Sequence, residues 1–212
     1  GRGILGGMAA LGLPGRLRGQ TTRAAPARVA FTHGDSRAAN IFEALKRIEG
    51  DIRRGLTRRK RVLIKPNVVS TTIPLTATHA DCIEAILDFL QPLVKEEIVI
   101  AESSASGPAM EGFDNYGYLR LQKKYRVRFV DLDREPAVVK YLIDERYRPQ
   151  PVRFSQMLLD PDFYVISPVR MKTHDRAVVT LSLKNLAVGA VIKDSTYRWR
   201  SDSRGRNDKW VV

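Results

Sequence analysis

Cysteine is almost absent from this 212-residue sequence, where Cys82 stands alone. One thiol cannot close an internal disulfide, complete a four-cysteine zinc site or hold an iron-sulfur cluster from this chain alone. No run of about 18 apolar residues is present to span a bilayer. No strand-like run is followed by G-x-G-x-x-G, and G-x-x-x-x-G-K-[ST], H-E-x-x-H and G-x-S-x-G do not occur. Dinucleotide, Walker-loop, zinc-protease and nucleophile-elbow chemistries therefore lack their usual marks. With 43% hydrophobic and 28% charged residues, the chain is not wholly disordered. Its length fits one domain with a sizeable core.

Acidic residues are scarce at one end only. The net charge is +13, but residues 1–61 hold 14 basic and 4 acidic side chains, whereas residues 62–191 hold 16 of each. Residues 192–212 hold 6 and 3. A nucleic-acid reading of the total charge is therefore weak, because the globular middle is neutral.

Residues 1–28 read as a signal-like arm and linker. The apolar stretch from Ile4 to Pro14, followed by Arg16 and Arg18, has the length of an export-signal core and looks like the tail of a twin-arginine signal. Ala25-Pro26-Ala27 has the small-x-small form of a cleavage site. The expected location is periplasmic or otherwise exported, with the cytoplasm as alternative.

From Val29 onward the pattern is that of an α/β domain over residues 29–212. ARVAFTHG is expected as a short strand, and Asn40 to Ile52 places Ile41, Leu45, Ile48 and Ile52 at helical spacing. Arg61 to Val69, Glu97 to Ala101, Val127 to Leu132 and Phe163 to Ser167 are apolar strands. Ile83, Ile86, Leu87 and Leu90 mark a helical face, and a further helix is expected around Tyr116 to Tyr125. Strands apolar on both faces, alternating with amphipathic helices, imply a mostly parallel sheet flanked by helices on both faces.

Ligands of such sheets bind beyond the carboxyl ends of the strands, and polar residues recur there. Lys65 and Asn67 close the first strand, Glu102, Ser103 and Ser104 the second, Asp131 and Asp133 the third, Lys172 and His174 the fourth. Thr78 is an expected N-cap, next to His79. Lys65, Lys172 and Lys184 are point charges for a phosphate or carboxylate, and Asn67 and Asn185 add neutral hydrogen bonds. The ligand-binding set is thus Lys65, Asn67, Thr78, His79, Ser103, Ser104, Lys184 and Asn185. Lys172, Glu102 and His174 are the candidate catalytic groups, with His174 as proton carrier because imidazole titrates near neutrality. His79, His174 and Glu102 are metal-accepting residue types without a ligand spacing, so no metal is assigned. Cys82 falls in a helical pattern as a buried thiol.

Three segments together, VLIKPNVV with TATH at 62–79, IVIAESSASG at 98–107 and VRMKTHDRAVVTLSLKNLAVG at 169–189, resemble the bacterial and archaeal domain-of-unknown-function family numbered 362. The most specific match is K-x-H, then T, then K-N-x-x-x-G, carried by Lys172, His174, Thr180, Lys184, Asn185 and Gly189. The resemblance runs over about residues 29–195, although Ala80 and Ala101 depart from the family's usual proline and glycine. It implies an α/β fold, twin-arginine export and redox company. It also implies a chain cut at both ends, since the family domain continues beyond Lys209-Trp210-Val211-Val212.

The functional expectation is an exported domain that binds a small anionic ligand or cofactor, as a redox-associated enzyme. The alternative is a non-catalytic accessory protein docking to an iron-sulfur or other redox partner, with nucleic-acid binding a distant third. Residues 193–209 are expected as a solvated or partner-facing loop, with Tyr197 and Trp199 set between arginines.

Overall fold

The computed structural model describes residues 26–174, 178–199 and 204–210. The apolar stretch from Ile4 to Pro14 lies outside the described residues. No helix among the described residues is long and apolar enough to cross a membrane.

The elements run in order α1 (Arg37–Arg47), α2 (Glu49–Leu56), β1 (Arg61–Ile64), α3 (Ala80–Leu90), β2 (Ile98–Glu102), α4 (Ala109–Asn115) and β3 (Val127–Asp131). There follow β4 (Ala137–Ile143), β5 (Pro149–Ser155), α5 (Gln156–Leu159), β6 (Phe163–Ile166), β7 (Lys172–His174), β8 (Val178–Thr180) and α6 (Ser182–Ala187). Four strands form a parallel sheet in the order β3-β2-β1-β6. The α/β class and the parallel sheet agree with the sequence reading. Leu63 pairs with Val99 and Val165, and Glu102 pairs with Asp131, so the strand ends lie nearly level.

Alternation along each strand divides the core in two. Val62, Ile64, Ile98, Ile100 and Val127 face Ile83, Ile86, Leu87 and Leu90 of α3 and Phe113 of α4. Leu63, Val99, Ala101, Val130 and Phe163 face Leu132, Ile192 and, on α5, Met157 and Leu158. Helix cover is therefore unequal: α1 to α4 build one face, while a short helix and a returning segment of chain close the other.

Three local expectations change. The stretch 29–34 is not a strand, and Val29 and Phe31 are exposed because no strand partners them. The single helix over Asn40–Ile52 is broken at Ile48, whose φ of −112° and ψ of 15° end α1. Basic Lys46 and Arg47 suit a helix C-terminus, and acidic Glu49 and Asp51 an N-terminus. Around Tyr116 to Tyr125 the chain forms only the end of α4 and a 3-10 turn at Leu119–Lys123.

The antiparallel hairpin β4-β5 had no counterpart in the sequence reading. Its turn is organised by Asp144, whose Oδ1 accepts from the N–H of Arg146 at 2.8 Å and of Arg148 at 2.9 Å. β7 and β8 form a separate antiparallel ribbon, so Lys172 and His174 do not terminate the fourth parallel strand but stand on a flap that follows it.

Candidate functional site

The sheet order fixes where a crevice opens. From β1 the chain proceeds outward to β2 and β3, then returns to the opposite side of β1 as β6. Loops leaving β1 and β6 thus diverge, which is the topological switch point where ligands of open α/β sheets bind. Lys65 follows β1 there, and Ser167 follows β6.

Lys65 is fully buried. Its Nζ donates to Glu102 Oε1 at 2.6 Å and to Asn185 Oδ1 at 2.9 Å. Glu102, 2% exposed, also accepts from the Ser103 N–H at 2.7 Å and, through Oε2, from the Val68 N–H at 2.9 Å. A buried carboxylate holding one ammonium and two amides is satisfied, and loss of either charged partner leaves an uncompensated charge.

Asn185 joins this pair to the loops around it. Its amide nitrogen donates to the carbonyls of Lys65 at 3.1 Å and Pro66 at 3.2 Å and to Ser167 Oγ at 2.9 Å, while its oxygen also accepts from Asn67 Nδ2 at 3.2 Å. Gly189 is required by the same contact: a Cβ there would stand 2.7 Å from Lys65 Nζ and 2.1 Å from the Asn185 carbonyl oxygen. The K-N-x-x-x-G spacing is thereby explained as a clamp on the K-P-N strand end.

Asn67 is the bridge to the outer residues. Its Oδ1 accepts from Lys172 Nζ, and its N–H donates to Thr78 Oγ1 at 2.9 Å. Thr78 is buried and donates to the Pro168 carbonyl at 2.9 Å, so it ties two loops together. It is not the N-cap of α3; His79 is, with Nδ1 accepting from the Asp81 N–H at 3.2 Å. Ser104 is buried and donates to the Val69 carbonyl at 3.2 Å. Ser104 and His79 therefore make loop and capping contacts.

Lys172 and His174, two residues apart on β7, project to the same face of the ribbon, and both are half-buried. Burial pushes the Lys172 ammonium below its ordinary pKa, Glu102 opposes this, and the charges of Lys184 and Arg170 add to it. Thr180, paired with Lys172 across the ribbon, is buried and its hydroxyl has no hydrogen-bond partner. Among the described residues no three His, Cys, Asp or Glu side chains gather as a metal-holding group. His79, His174 and Glu102 therefore do not converge as a ligand set.

A second buried pair escaped the sequence reading. Lys193, fully buried, contacts Asp133 through Nζ, and Asp133 Oδ1 accepts from the Lys193 N–H at 3.0 Å and from Ser103 Oγ at 2.5 Å. Asp131 beside it accepts from the Ala109 N–H at 3.2 Å. Burial and the charge of Asp133 raise its pKa, against the amides and Lys193. The signal for Lys193 was the apolar run Ala190-Val191-Ile192 directly before it, all three residues buried.

The 193–209 segment is fastened to the domain where it is described. Asp208 is buried, and Arg153 reaches it at 3.0 Å and Asp194 at 2.8 Å, while Arg206 reaches Asp208 at 2.5 Å. Burial works against the charged form of Asp208, but the two arginines hold its pKa below the ordinary carboxylate range. Trp199 packs edge-on against Trp210 at 5.2 Å, and the Trp210 indole N–H donates to the Tyr197 hydroxyl at 3.3 Å. The aromatics thus engage one another.

The profile of a protein family described as Domain of unknown function (DUF362) matches residues 62–209. The chain belongs to this family. The matched span starts at the first buried residue of β1 and ends at Lys209. DUF362 membership thus takes in both buried lysine pairs and the fastened segment and leaves out α1 and α2, a later start and a later end than the resemblance over 29–195. No curated protein and no solved structure matches the chain.

Proposed function

We propose that the domain binds a small anionic ligand, a phosphate or carboxylate, in the crevice beyond β1 and β6, with Lys172 and Lys184 as its charge partners. The observation that carries this reading is an imbalance of charge. Glu102 is held by Lys65 at 2.6 Å, whereas at the rim Lys172 stands half-buried with the positive charges of Lys184 and Arg170 acting on it and the Glu102 charge opposing them. Burial is the main cause that lowers the Lys172 pKa, and an entering anion offsets the smaller repulsion from Lys184 and Arg170. The buried, unpartnered hydroxyl of Thr180 adds a donor opposite Lys172. Asn67 orients the Lys172 ammonium, and Asn185 holds Asn67.

Calorimetric titration with inorganic phosphate and with a dicarboxylate tests the reading. Binding by the natural chain and a drop of at least tenfold in Lys172→Ala, about 1.4 kcal/mol, is the expected result. Equal binding by both proteins, or none by either, refutes it.

A further inference from the structure

The β7-β8 ribbon is amphipathic in an inverted sense. Lys172 and Thr180 pair on its inner face, where Lys172 reaches Asn67 and Thr180 is buried. Thr173 and Val179 pair on the opposite face, which continues by alternation to Met171 and Leu181. All four of these residues are exposed, Met171 by 79%. Leu183 stands on α6 two residues from the inward-facing Asn185, hence on the other side of the helix, and is exposed by 82%. The loop after β1 adds exposed Ile73 and Leu75, and Thr78 ties that loop to Pro168 at the foot of the flap.

Exposed apolar side chains occur elsewhere too, and charge separates the places. The β4-β5 hairpin exposes Val139, Tyr141 and Ile143, but acidic Asp144 and Glu145 are mixed there with basic Lys140, Arg146 and Arg148. The ribbon has charge of one sign. Among the described residues from Tyr164 to Ile192, Arg170, Lys172 and Lys184 occur and no Asp or Glu does. Arg170 and Lys184 directly adjoin Met171 and Leu183 in the chain. Side chains that stand four-fifths clear of the surface do not line a hollow for a small molecule. Set beside cations alone, they match a layer with negative charge on top and hydrocarbon beneath.

We propose that the outer face of the ribbon docks on an anionic lipid surface. Met171, Val179, Leu181 and Leu183 enter the boundary between headgroups and acyl chains, and the charge of Arg170 and Lys184 is drawn to the lipid phosphates. The mouth of the crevice is thereby held at the membrane. Docking goes beyond the anion reading, because Lys172 and Thr180 belong to the inner face, and the two stand or fall separately.

Nitroxide labels on introduced cysteines test the docking in the full chain, with Cys82→Ala removing the one natural thiol. One protein carries the label at Leu183→Cys, a second at Met171→Cys, and a control at Tyr141→Cys on the hairpin. Each is mixed with vesicles of phosphatidylcholine and with vesicles of phosphatidylcholine and phosphatidylglycerol in equal parts. On the anionic vesicles, the two ribbon labels are expected to lose collisions with an aqueous nickel chelate and to gain collisions with oxygen, which concentrates in hydrocarbon. The hairpin label is expected to stay in water. Because the readout is local, attachment through residues 1–28 alone leaves the ribbon labels in water and overturns the proposal. Ribbon labels that stay in water in every mixture also overturn it and leave the face to a protein partner. Equal immersion in neutral vesicles refutes the part given to charge. Phosphate binding by calorimetry without immersion keeps the anion reading and removes this one, and immersion without phosphate binding does the reverse.

Discussion

The interior of the crevice and its rim use the same residue types to opposite effect. Inside, Lys65, Glu102 and Asn185 partner one another and the backbone around them, with each charge met by its opposite at contact distance. At the rim, Lys172 meets the neutral Asn67 oxygen by hydrogen bond and stands between the charge of Glu102 on one side of the balance and those of Lys184 and Arg170 on the other, beside the unpartnered Thr180 hydroxyl. A satisfied buried network fixes a shape, while an unbalanced half-buried one is available to a ligand. The difference marks Lys65 and Glu102 as partners of one another in a satisfied network, although both are prominent in the sequence, and supports the proposal that recognition belongs to the flap that follows β6.

Substitutions that separate stability from binding break or sharpen this comparison. Lys65→Met strands the Glu102 carboxylate in the interior, and chemical denaturation is expected to record a loss of about 3–5 kcal/mol. Combining it with Glu102→Leu should recover part of that loss, since the double replacement strands no charge. Gly189→Ala forces a methyl against the Lys65 ammonium and the Asn185 carbonyl, for an expected cost of about 1–3 kcal/mol by thermal unfolding. At the rim, Lys172→Ala is expected to change stability by no more than about 0.5 kcal/mol, while its ligand affinity falls. A stability loss at Lys172 as large as that at Lys65 would erase the distinction between the two zones.

Lys209 adds a test by pH. An unfolded lysine titrates near about 10.4, whereas in the folded domain burial brings Lys209 down to about 7. Between those values the unfolded chain holds a proton that the folded chain has lost, so the contribution of this group to stability rises as the pH rises. Comparing the natural chain with Lys209→Met isolates it: the variant should lack that rise. Identical pH profiles for the two proteins would show that the amine keeps its proton.

The parts of the fold that were legible in the sequence are those whose signal is local. β1, β2, β3 and β6 are short apolar runs because both of their faces are buried, and the α3 face follows from the spacing of Ile83, Ile86, Leu87 and Leu90. The β4-β5 hairpin was illegible because Pro149 and Pro151 speak against a strand, and they are tolerated only in a two-stranded ribbon. The stretch 29–34 misled for the converse reason, having strand composition and no partner.

The site was legible to the same extent. Lys65, Asn67 and Glu102 come together because strand ends of a parallel sheet converge by topology, each marked by its position after an apolar run, while Lys172 on β7 and Asn185 on α6 were marked by the K-x-H and K-N-x-x-x-G patterns and are folded back onto those ends. Lys193 and Lys209 were hidden in a charged stretch whose burial depends on Arg153, some 40 and more residues earlier, reaching Asp194 and Asp208. The N-cap of α3 expected at Thr78 falls one position later on His79, which side-chain reach settles and sequence spacing does not.

The central claim is that the rim, not the interior, receives the ligand. Crystals grown with a heavy oxyanion such as tungstate test it most directly. The expected density lies within hydrogen-bond distance of Lys172 Nζ, on the Thr180 side of the ribbon, with the Lys65 and Glu102 contact unchanged. An oxyanion that separates Lys65 from Glu102, or that binds only away from Lys172, contradicts the claim.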